Sequence, residues 1–246
     1  MRLIFLTILV LMCWKLSAQI AHSHNDYEQI YPFETAYNLS FDSIEADLFL
    51  KDNEIFVAHD YDKIKSERTF INLYLNPLLL KIKKNNGYPY SNKKPLTLIL
   101  DLKKEGREIL KLLFEKLKPY KSQLKNVKIV LSGDMPPPIE FKNYDKIFFF
   151  DGRKEIIYYK KELKRIAFVS ASFLDFGKLW MGKTPIPDET FNKIHLFVKE
   201  MHGKGKKVRL WATPNTVLGY ETLQKLQVDI IGTDNLELLA NFLKLN

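Results

Sequence analysis

The sequence predicts one α/β domain with the architecture of a (β/α)8 TIM barrel. From Gln19 onward, short apolar runs alternate with helical stretches, and the runs number eight, as such a barrel requires. The chain has 246 residues, 46% hydrophobic and 13% aromatic, which is enough for one large buried core. Neither a linker nor a repeat indicates a second domain. The predicted domain therefore covers residues 19–246.

Residues 1–18 have the pattern of a secretory signal peptide. A basic start at Arg2 is followed by twelve largely apolar residues, Leu3 to Trp14, and the segment ends on the small residue Ala18. The apolar stretch is too short for a comfortable membrane span. The sequence therefore predicts a secreted or periplasmic protein of a bacterial envelope, with no stable membrane span after removal of the signal. A lipid anchor at Cys13 and an uncleaved anchor are minority alternatives.

Cys13 is the only cysteine, and it lies within the predicted signal peptide. The mature chain would therefore contain no disulfide, no cysteine nucleophile and no cysteine-ligated zinc.

The predicted elements follow one another in strict order. The strands are Ile20–His22, Ser43–Phe49, Leu96–Leu102, Val127–Leu131, Ile147–Phe150, Ile166–Ser170, Val208–Ala212 and Asp229–Gly232. The helices are Phe33–Leu39, Leu73–Lys84, Gly106–Lys118, Glu155–Leu163, Asp188–His202, Val217–Leu226 and Leu236–Leu245. A turn after the second strand leads into an additional short strand that delivers His59. The connection through Pro136 to Pro138 is irregular and carries no helix prediction.

The second strand has an unusual inner face. Its side chains alternate, so that Ser43, Glu45 and Asp47 share one face while apolar residues occupy the other. Two like charges this close resist burial unless a counter-charge is present. Because carboxylate oxygens suit hard cations, the pattern predicts one divalent cation, Ca²⁺ or Mg²⁺. The plainer alternative is an exposed acidic edge strand with an unrelated histidine.

Other polar residues also fall at carboxyl ends of strands, where a barrel carries its working face. His22 ends the first strand, and alternation turns Asp101 and Lys103 inward at the end of the third. Trp211 ends the seventh strand, where it equally suits barrel filling. Asp234 follows the eighth strand, where it equally suits a helix cap.

The formal net charge of +9 arises mainly from lysines scattered along helical stretches. They are typical of solvated helix faces, and no nucleic-acid-binding motif accompanies them, so we expect no nucleic-acid partner. A modestly positive surface suits an anionic phosphate substrate. We expect the protein to be a monomer.

These motifs resemble those of the glycerophosphodiester phosphodiesterase and phosphatidylinositol phospholipase C-like superfamily. The resemblance rests on His22, Glu45-Ala-Asp47, His59-Asp60, Trp211 and the Gly232-Thr-Asp234 turn. The opening His-Ser-His-Asn-Asp-Tyr, residues 22–27, is similar to the branch that includes fungal altered-inheritance-of-mitochondria proteins. The resemblance spans nearly all of the chain after residue 18, and it implies a barrel of the phospholipase C-like phosphodiesterase type.

The resemblance also implies roles for individual residues. His22 and His59 would be the general acid–base pair, and Glu45, Asp47 and Asp101 would be metal ligands. Lys103 would contact phosphate, as in the Asp-Leu-Lys segment of the similar sphingomyelinase D branch. Two departures leave the substrate open: His22-Ser-His24 replaces the usual His-Arg-Gly, and the segment between His59 and the third strand is short.

The predicted function is therefore that of a metal-dependent phosphodiesterase acting on a small phosphodiester or a lipid headgroup. Asn25, Tyr27 and Trp211 would line the substrate mouth, the aromatic pair offering flat surfaces to a sugar, inositol or glycerol. Two alternatives remain: a non-catalytic barrel that binds phosphate or glycan, and a metal-dependent hydrolase using His22 and His24 as an H-x-H pair. The sequence does not distinguish hydrolysis from formation of a cyclic phosphate.

Overall fold

The computed structural model describes residues 19–245. The predicted signal peptide at residues 1–18 lies outside the described residues. The strands are β1 (Ile20–Ser23), β2 (Ser43–Lys51), β3 (Glu54–Val57), β4 (Leu96–Leu102), β5 (Val127–Gly133), β6 (Phe148–Arg153), β7 (Ile166–Ser172), β8 (Val208–Trp211) and β9 (Ile230–Thr233). The α-helices are α1 (Glu34–Asn38), α2 (Asn76–Lys84), α3 (Gly106–Leu117), α4 (Lys160–Leu163), α5 (Asp188–Gly203), α6 (Val217–Lys225) and α7 (Leu236–Leu243).

Eight of these strands close into a parallel barrel, which confirms the predicted fold class. The order around the barrel is β1, β2, β4, β5, β6, β7, β8 and β9, and β1 pairs in parallel with both β2 and β9. The one strand outside the barrel among residues 19–245 is β3, which runs antiparallel to the outer half of β2, with Leu48 opposite Val57. This hairpin extends β2 beyond the barrel and brings the chain back to His59 at the level of Asp47.

Two apolar layers hold the barrel. The larger one lies between the sheet and the helices and includes the outward side chains of β2 and β4, such as Ile44, Leu48 and Leu100. The smaller one fills the barrel interior and contains Ile99, Val130, Phe168 and Ile230. Because successive side chains of a strand face opposite ways, the next inward residues toward the carboxyl ends stand above this interior plug. These next residues are polar.

One predicted helix is much shorter than expected. The sequence predicts helix over Glu155–Leu163, but α4 begins only at Lys160. The preceding residues form a loop in which the Arg153 amide donates to the Tyr158 hydroxyl at 2.7 Å, and the Tyr159 amide donates to Glu162 Oε2 at 2.8 Å. β-branched and aromatic residues favour helix only weakly, and these contacts hold the loop instead.

The helix predicted over Leu73–Lys84 is present but begins differently. Residues Ile71–Leu75 form a π-helical turn that continues directly into α2. Among residues 19–245, no helix combines the length and the apolarity needed to cross a bilayer.

Candidate active site

The floor of the barrel mouth is a buried ionic cluster, which we call the floor cluster: His22, Glu45, Asp151 and Arg209. Arg209 Nη1 donates to Glu45 Oε2 at 2.9 Å, and Nη2 lies 3.4 Å from Asp151 Oδ2. Its Nε donates to Ser170 Oγ at 3.0 Å. The guanidinium thus neutralises carboxylates from two strands, β2 and β6. Its presence explains how Glu45 can be buried as a carboxylate.

His22 is fully enclosed in this cluster. Its side chain is 1% exposed, Nε2 lies 2.7 Å from Glu45 Oε2, and Nδ1 lies 3.0 Å from Ser43 Oγ. The ring fits because Gly232 has no side chain: a Cβ there would lie 3.2 Å from His22 Cδ2. Both ring nitrogens already have partners. In this arrangement His22 holds Glu45 in place and has no nitrogen free for a substrate.

Burial and charge set the protonation of the floor cluster. Burial lowers the pKa of His22 to about 4, so the ring is neutral near pH 7. Burial also acts to raise the pKa of Glu45, but Arg209 and the hydrogen bond from His22 outweigh it and hold that pKa well below its ordinary value. For Asp151, burial prevails and raises the pKa to about 6.

A second group of residues, which we call the rim cluster, lies beside the floor: Tyr27, Asp47, His59, Asp101 and Lys103. Lys103 Nζ lies 2.8 Å from Asp47 Oδ2 and 2.6 Å from Asp101 Oδ2. The two carboxylates are register partners on adjacent strands, as the sequence predicts. Burial raises the pKa of Asp47 to about 6, although the hydrogen bonds from Lys103 and Tyr27 act in the opposite direction.

The hydrogen bonds of Tyr27 determine the tautomer of His59. Its hydroxyl lies 2.6 Å from Asp47 Oδ2 and 3.0 Å from His59 Nδ1. A phenol has one proton, and the carboxylate of Asp47 is the nearer of its two acceptors, since Asn25 Oδ1 lies at 3.0 Å; when Asp47 accepts the proton, His59 Nδ1 is the donor to the phenol oxygen. The lone pair of His59 is then on Nε2. Because the His59 side chain is half exposed, this nitrogen is accessible to a proton donor.

A third group is the pair of His24 and Asp234, which follow the adjacent strands β1 and β9. His24 Nδ1 lies 2.7 Å from Asp234 Oδ1, and the His24 side chain is 39% exposed. Burial acts to lower the pKa of His24, but the hydrogen bond to Asp234 and nearby carboxylates prevail, so that its pKa lies above the ordinary value. A cavity of about 110 Å³ is lined by His24, Asp234, Arg209 and Trp211, among others. Asp234 therefore orients an imidazole; the side chain that caps α7 is that of Asn235.

The three predicted metal ligands do not converge on one point. Glu45 is paired with Arg209, whereas Lys103 Nζ lies between Asp47 and Asp101. Asp47 Oδ1 is buried without a hydrogen-bond partner and is an available oxygen donor. Even so, no three His, Cys, Asp or Glu side chains within residues 19–245 are arranged to hold a metal. As arranged, these residues do not fit a divalent cation, and metal binding stays a prediction.

The predicted substrate contacts differ in their surroundings. Trp211 is 44% exposed and lines the cavity beside His24. Tyr27 is only 2% exposed, so its ring offers no open face and it acts through its hydroxyl. Asn25 Oδ1 lies 3.0 Å from that hydroxyl, and its backbone has a positive φ of 46°. His22 and His24 bind different carboxylates and do not form a convergent H-x-H pair.

The sequence interpretation did not assign Arg209, Asp151 or the pairing of His24 with Asp234. Alternation could have identified Arg209, because it shares the inward face of β8 with Trp211. No local signal reveals Asp151, since a register irregularity between Phe150 and Asp151 shifts β6 against β7.

Comparison with known proteins bears out the family resemblance. The model of the AIM6-like phosphodiesterase domain matches residues 13–128, a little under half of the chain. An altered inheritance of mitochondria protein 6 homolog from Arthroderma benhamiae is 25% identical over 252 residues, covering 87% of this chain and 80% of that protein. Altered inheritance of mitochondria protein 6 from Eremothecium gossypii is 25% identical over 266 residues, covering 90% of this chain and 68% of that protein.

Two solved structures share the fold. A glycerophosphodiester phosphodiesterase from Parabacteroides distasonis superposes with a TM-score of 0.60 at 16% identity, covering 93% of this chain and 98% of that one. A calcium-dependent phosphoinositol-specific phospholipase C from a Pseudomonas species superposes with a TM-score of 0.58 at 13% identity, covering 90% of each chain. At these identities the likeness shows the fold alone, which is that of the phospholipase C-like barrels.

The relatives correct one prediction. The expectation of a secreted or periplasmic bacterial protein is wrong, because the relatives with matching sequences are fungal proteins named for mitochondrial inheritance. The pattern of residues 1–18 carried that expectation, and these residues lie outside the described part of the chain.

Proposed function

We propose that this chain, similar to AIM6-like phosphodiesterase domains, cleaves a small alcohol or lipid headgroup phosphodiester by general acid–base catalysis. One observation carries the proposal: two partly exposed histidines lie at the barrel mouth, His24 just after β1 and His59 just after β3, and each is linked to a carboxylate, His24 directly and His59 through Tyr27. Paired imidazoles of this kind suit proton transfer near neutral pH.

His59 is the proposed general base. Its Nδ1 proton is engaged by Tyr27, which leaves the Nε2 lone pair to take a proton from the attacking hydroxyl. The attacking group is either water or a neighbouring hydroxyl of the substrate. Because Asp47 accepts the Tyr27 proton at 2.6 Å, it fixes the phenol and, through it, the orientation of the imidazole.

His24 is the proposed general acid, in place of the sequence-based assignment to His22. Asp234 favours the protonated ring, and the ring lines the cavity, so a proton can pass to the departing alkoxide. His22 also lines the cavity, but it is buried, burial lowers its pKa to about 4, and both of its ring nitrogens have hydrogen-bond partners. We therefore assign it to positioning Glu45.

Two cations, each shared with carboxylates, are placed to contact the phosphoryl oxygens of a phosphodiester. Lys103 is 29% exposed on the rim, and Arg209 contributes to the cavity wall. Fixed cations beside the phosphoryl oxygens stabilise the charge that develops there. One rim lysine and one guanidinium suit a singly charged phosphodiester better than a polyphosphate.

Substrate turnover tests the proposal directly. A panel of glycerophosphodiesters, phosphatidylinositol, lysophospholipids, p-nitrophenyl phosphate and single-stranded DNA would be assayed with and without Ca²⁺ or Mg²⁺. We expect turnover of the diesters, with the monoester and DNA largely intact. Preferential cleavage of the monoester or the DNA would contradict the proposal, and binding without turnover would favour the non-catalytic barrel.

Substitutions of the three histidines distinguish the assignment of the general acid to His24 from its assignment to His22. His24→Asn and His59→Asn should each reduce kcat by about 10²- to 10⁴-fold while the urea midpoint stays close to that of the wild type. His22→Asn, the matched control, should lower the urea midpoint and reduce kcat less than the other two. If His22→Asn abolished turnover in a stably folded protein while His24→Asn left it intact, the original pair of His22 and His59 would be correct.

A further inference from the structure

The exposed apolar side chains of the described residues are concentrated on the face that carries the candidate site. Most of them lie in loops that follow the carboxyl ends of barrel strands. Six of those at the ends of the adjacent strands β6, β7 and β8 or in the loops after them form a set that we call the apolar rim: Ile156, Ile157, Leu174, Leu179, Met181 and Trp211. Soluble proteins rarely cluster large apolar side chains on one face without a partner for them.

Polar contacts connect the loops that carry this set. Lys154, after β6, lies 3.6 Å from Asp175 in the turn after β7. Thr216 Oγ1, after β8, donates to the Gly182 carbonyl in the β7 loop at 3.3 Å. Trp211 belongs both to the apolar rim and to the wall of the candidate site beside His24. The apolar rim therefore leads directly into the catalytic mouth.

The most prominent part is the segment Lys178–Lys183, which we call the tip. Leu179 and Met181 are 69% and 59% exposed, whereas Trp180 between them is buried. Trp180 stacks on Phe173 at 5.7 Å between ring centroids, and its Nε1 donates to the Thr184 carbonyl at 2.8 Å. Because this anchor holds the backbone, Leu179 and Met181 are presented to the outside instead of folding inward.

Charge indicates what the tip contacts. Exposed lysines flank the two apolar residues, Lys178 on one side and Lys183 on the other, and neither makes an ion pair within the described part of the chain. Apolar side chains flanked by lysines match the interface of a bilayer, where the former enter the acyl boundary and the latter meet anionic headgroups. A neutral or cationic surface would not attract these two lysines.

We propose that the apolar rim, through its tip, docks the barrel mouth onto an anionic phospholipid bilayer. The inference extends the proposed function, because it assigns the substrate to lipids presented at a surface. Docking would bring a headgroup phosphodiester to the cavity beside Trp211 without removing the whole lipid from the bilayer. A second copy of the chain is the competing occupant of this surface.

Vesicle sedimentation of the full chain tests the proposal without requiring turnover. The vesicles are phosphatidylcholine alone, or phosphatidylcholine with phosphatidylglycerol. The test variant is Leu179→Asp with Met181→Asp. The matched control is Leu196→Asp, since Leu196 is 65% exposed on α5, away from the mouth. We expect the wild type to bind the anionic vesicles, and the double variant to bind them at least about tenfold more weakly. Leu196→Asp should bind like the wild type.

Further arms distinguish the remaining outcomes. Lys178→Glu with Lys183→Glu, or added salt, should also weaken vesicle binding. Equal binding by the wild type and the Leu179/Met181 double variant would overturn the proposal. So would light scattering that shows a dimer which the double variant dissociates. Turnover of a soluble glycerophosphodiester should be equal in wild type and double variant. Vesicle binding with no turnover of any diester would refute the proposed function and leave the docking surface in place.

Discussion

Replacing Arg209 by methionine should destabilise the protein more than any other single substitution of a charged residue in the mouth. Methionine keeps much of the apolar stem but removes the guanidinium from between Glu45 and Asp151, which lie 2.9 and 3.4 Å away. The side chains of Arg209, Glu45 and Asp151 are only 8%, 7% and 0% exposed. Water therefore cannot replace the lost charge, and two carboxylates remain buried without a counter-ion.

The expected cost is large for that reason. Removing one partner of a buried ion pair typically costs about 3–5 kcal/mol, because the remaining charge stays desolvated. For a domain of this size, that loss corresponds to a fall in Tm of about 6–20 °C. Native domains are stable by about 5–15 kcal/mol in total, so the variant should fold but unfold at a clearly lower urea concentration.

The pH dependence of the stability lost in Arg209→Met shows whether the loss arises from the buried carboxylates. In the wild type, Arg209 holds the pKa of Glu45 below its ordinary value, and stability from that group is lost only when the pH falls through the lowered pKa. In the variant, the charge of Arg209 no longer opposes the effect of burial on the two carboxylates, so we expect their pKa values in the folded state to rise above those in the unfolded chain. The folded variant then binds protons as the pH falls, and its stability recovers. Urea unfolding should show a smaller difference between wild type and variant at about pH 5 than at about pH 7.

A matched surface variant controls for the loss of any arginine. Arg107 also makes two hydrogen bonds to a carboxylate, that of Glu140, at 2.8 and 3.2 Å, but its side chain is 59% exposed. Because solvent screens exposed pairs, Arg107→Met should change the urea midpoint little. Adding Asp151→Asn to Arg209→Met should restore part of the stability. If Arg209→Met were no more destabilising than Arg107→Met, or if its effect did not change with pH, the assignment of a desolvated ion cluster would be refuted.

Three further outcomes are expected. Asp234→Asn removes the carboxylate whose hydrogen bond raises the pKa of His24. The alkaline limb of the pH profile of kcat/KM should therefore move to lower pH, and an alkaline limb at the same pH as in the wild type would exclude His24 as the general acid. Asp26→Ala leaves three donors without their acceptor and should cost about 3 kcal/mol in urea unfolding, whereas a cost near zero would show that water replaces the carboxylate. Lys103→Met removes the ammonium that lies between the carboxylates of Asp47 and Asp101. Calorimetry should therefore show tighter Ca²⁺ binding by the variant than by the wild type, and no binding by either protein would contradict the predicted metal site.

Strand alternation was enough to predict much of the fold and one part of the site. A period of two on β2 and β4 places Asp47 and Asp101 inward on neighbouring strands, and the structure pairs them in register. The same rule leaves the outward residues apolar, and they form the layer under the helices. These features depend on local pattern, which a single sequence contains.

The division of labour between His22 and His24 could not be predicted in this way. β1 ends at Ser23, and the His24 amide donates to the Thr233 carbonyl at 3.1 Å as the chain leaves the barrel. His22 lies within β1 and reaches the floor cluster, whereas His24 follows the strand and lies in the mouth. Strand ends depend on tertiary hydrogen bonds, so the motif alone favoured His22.

Arg209 was missed for a different reason. Its partners Glu45 and Asp151 are 164 and 58 residues away in the chain, and each looks unpaired in its own segment. Because no cationic residue is close to Glu45 in the sequence, the pattern around it led to the prediction of a metal ion as the counter-charge. Closure of the barrel brings β2, β6 and β8 around one interior and provides that cation from the protein itself.

This arrangement separates the groups that hold the mouth together from those proposed to act in it. The floor cluster is buried and internally neutralised, so its substitutions should act mainly on stability. His24 and His59 are half exposed and contact the fold through single carboxylate or phenol partners, so their substitutions should act mainly on turnover. Lys103 has both kinds of role, because it is paired with the rim carboxylates and is also exposed to an incoming anion.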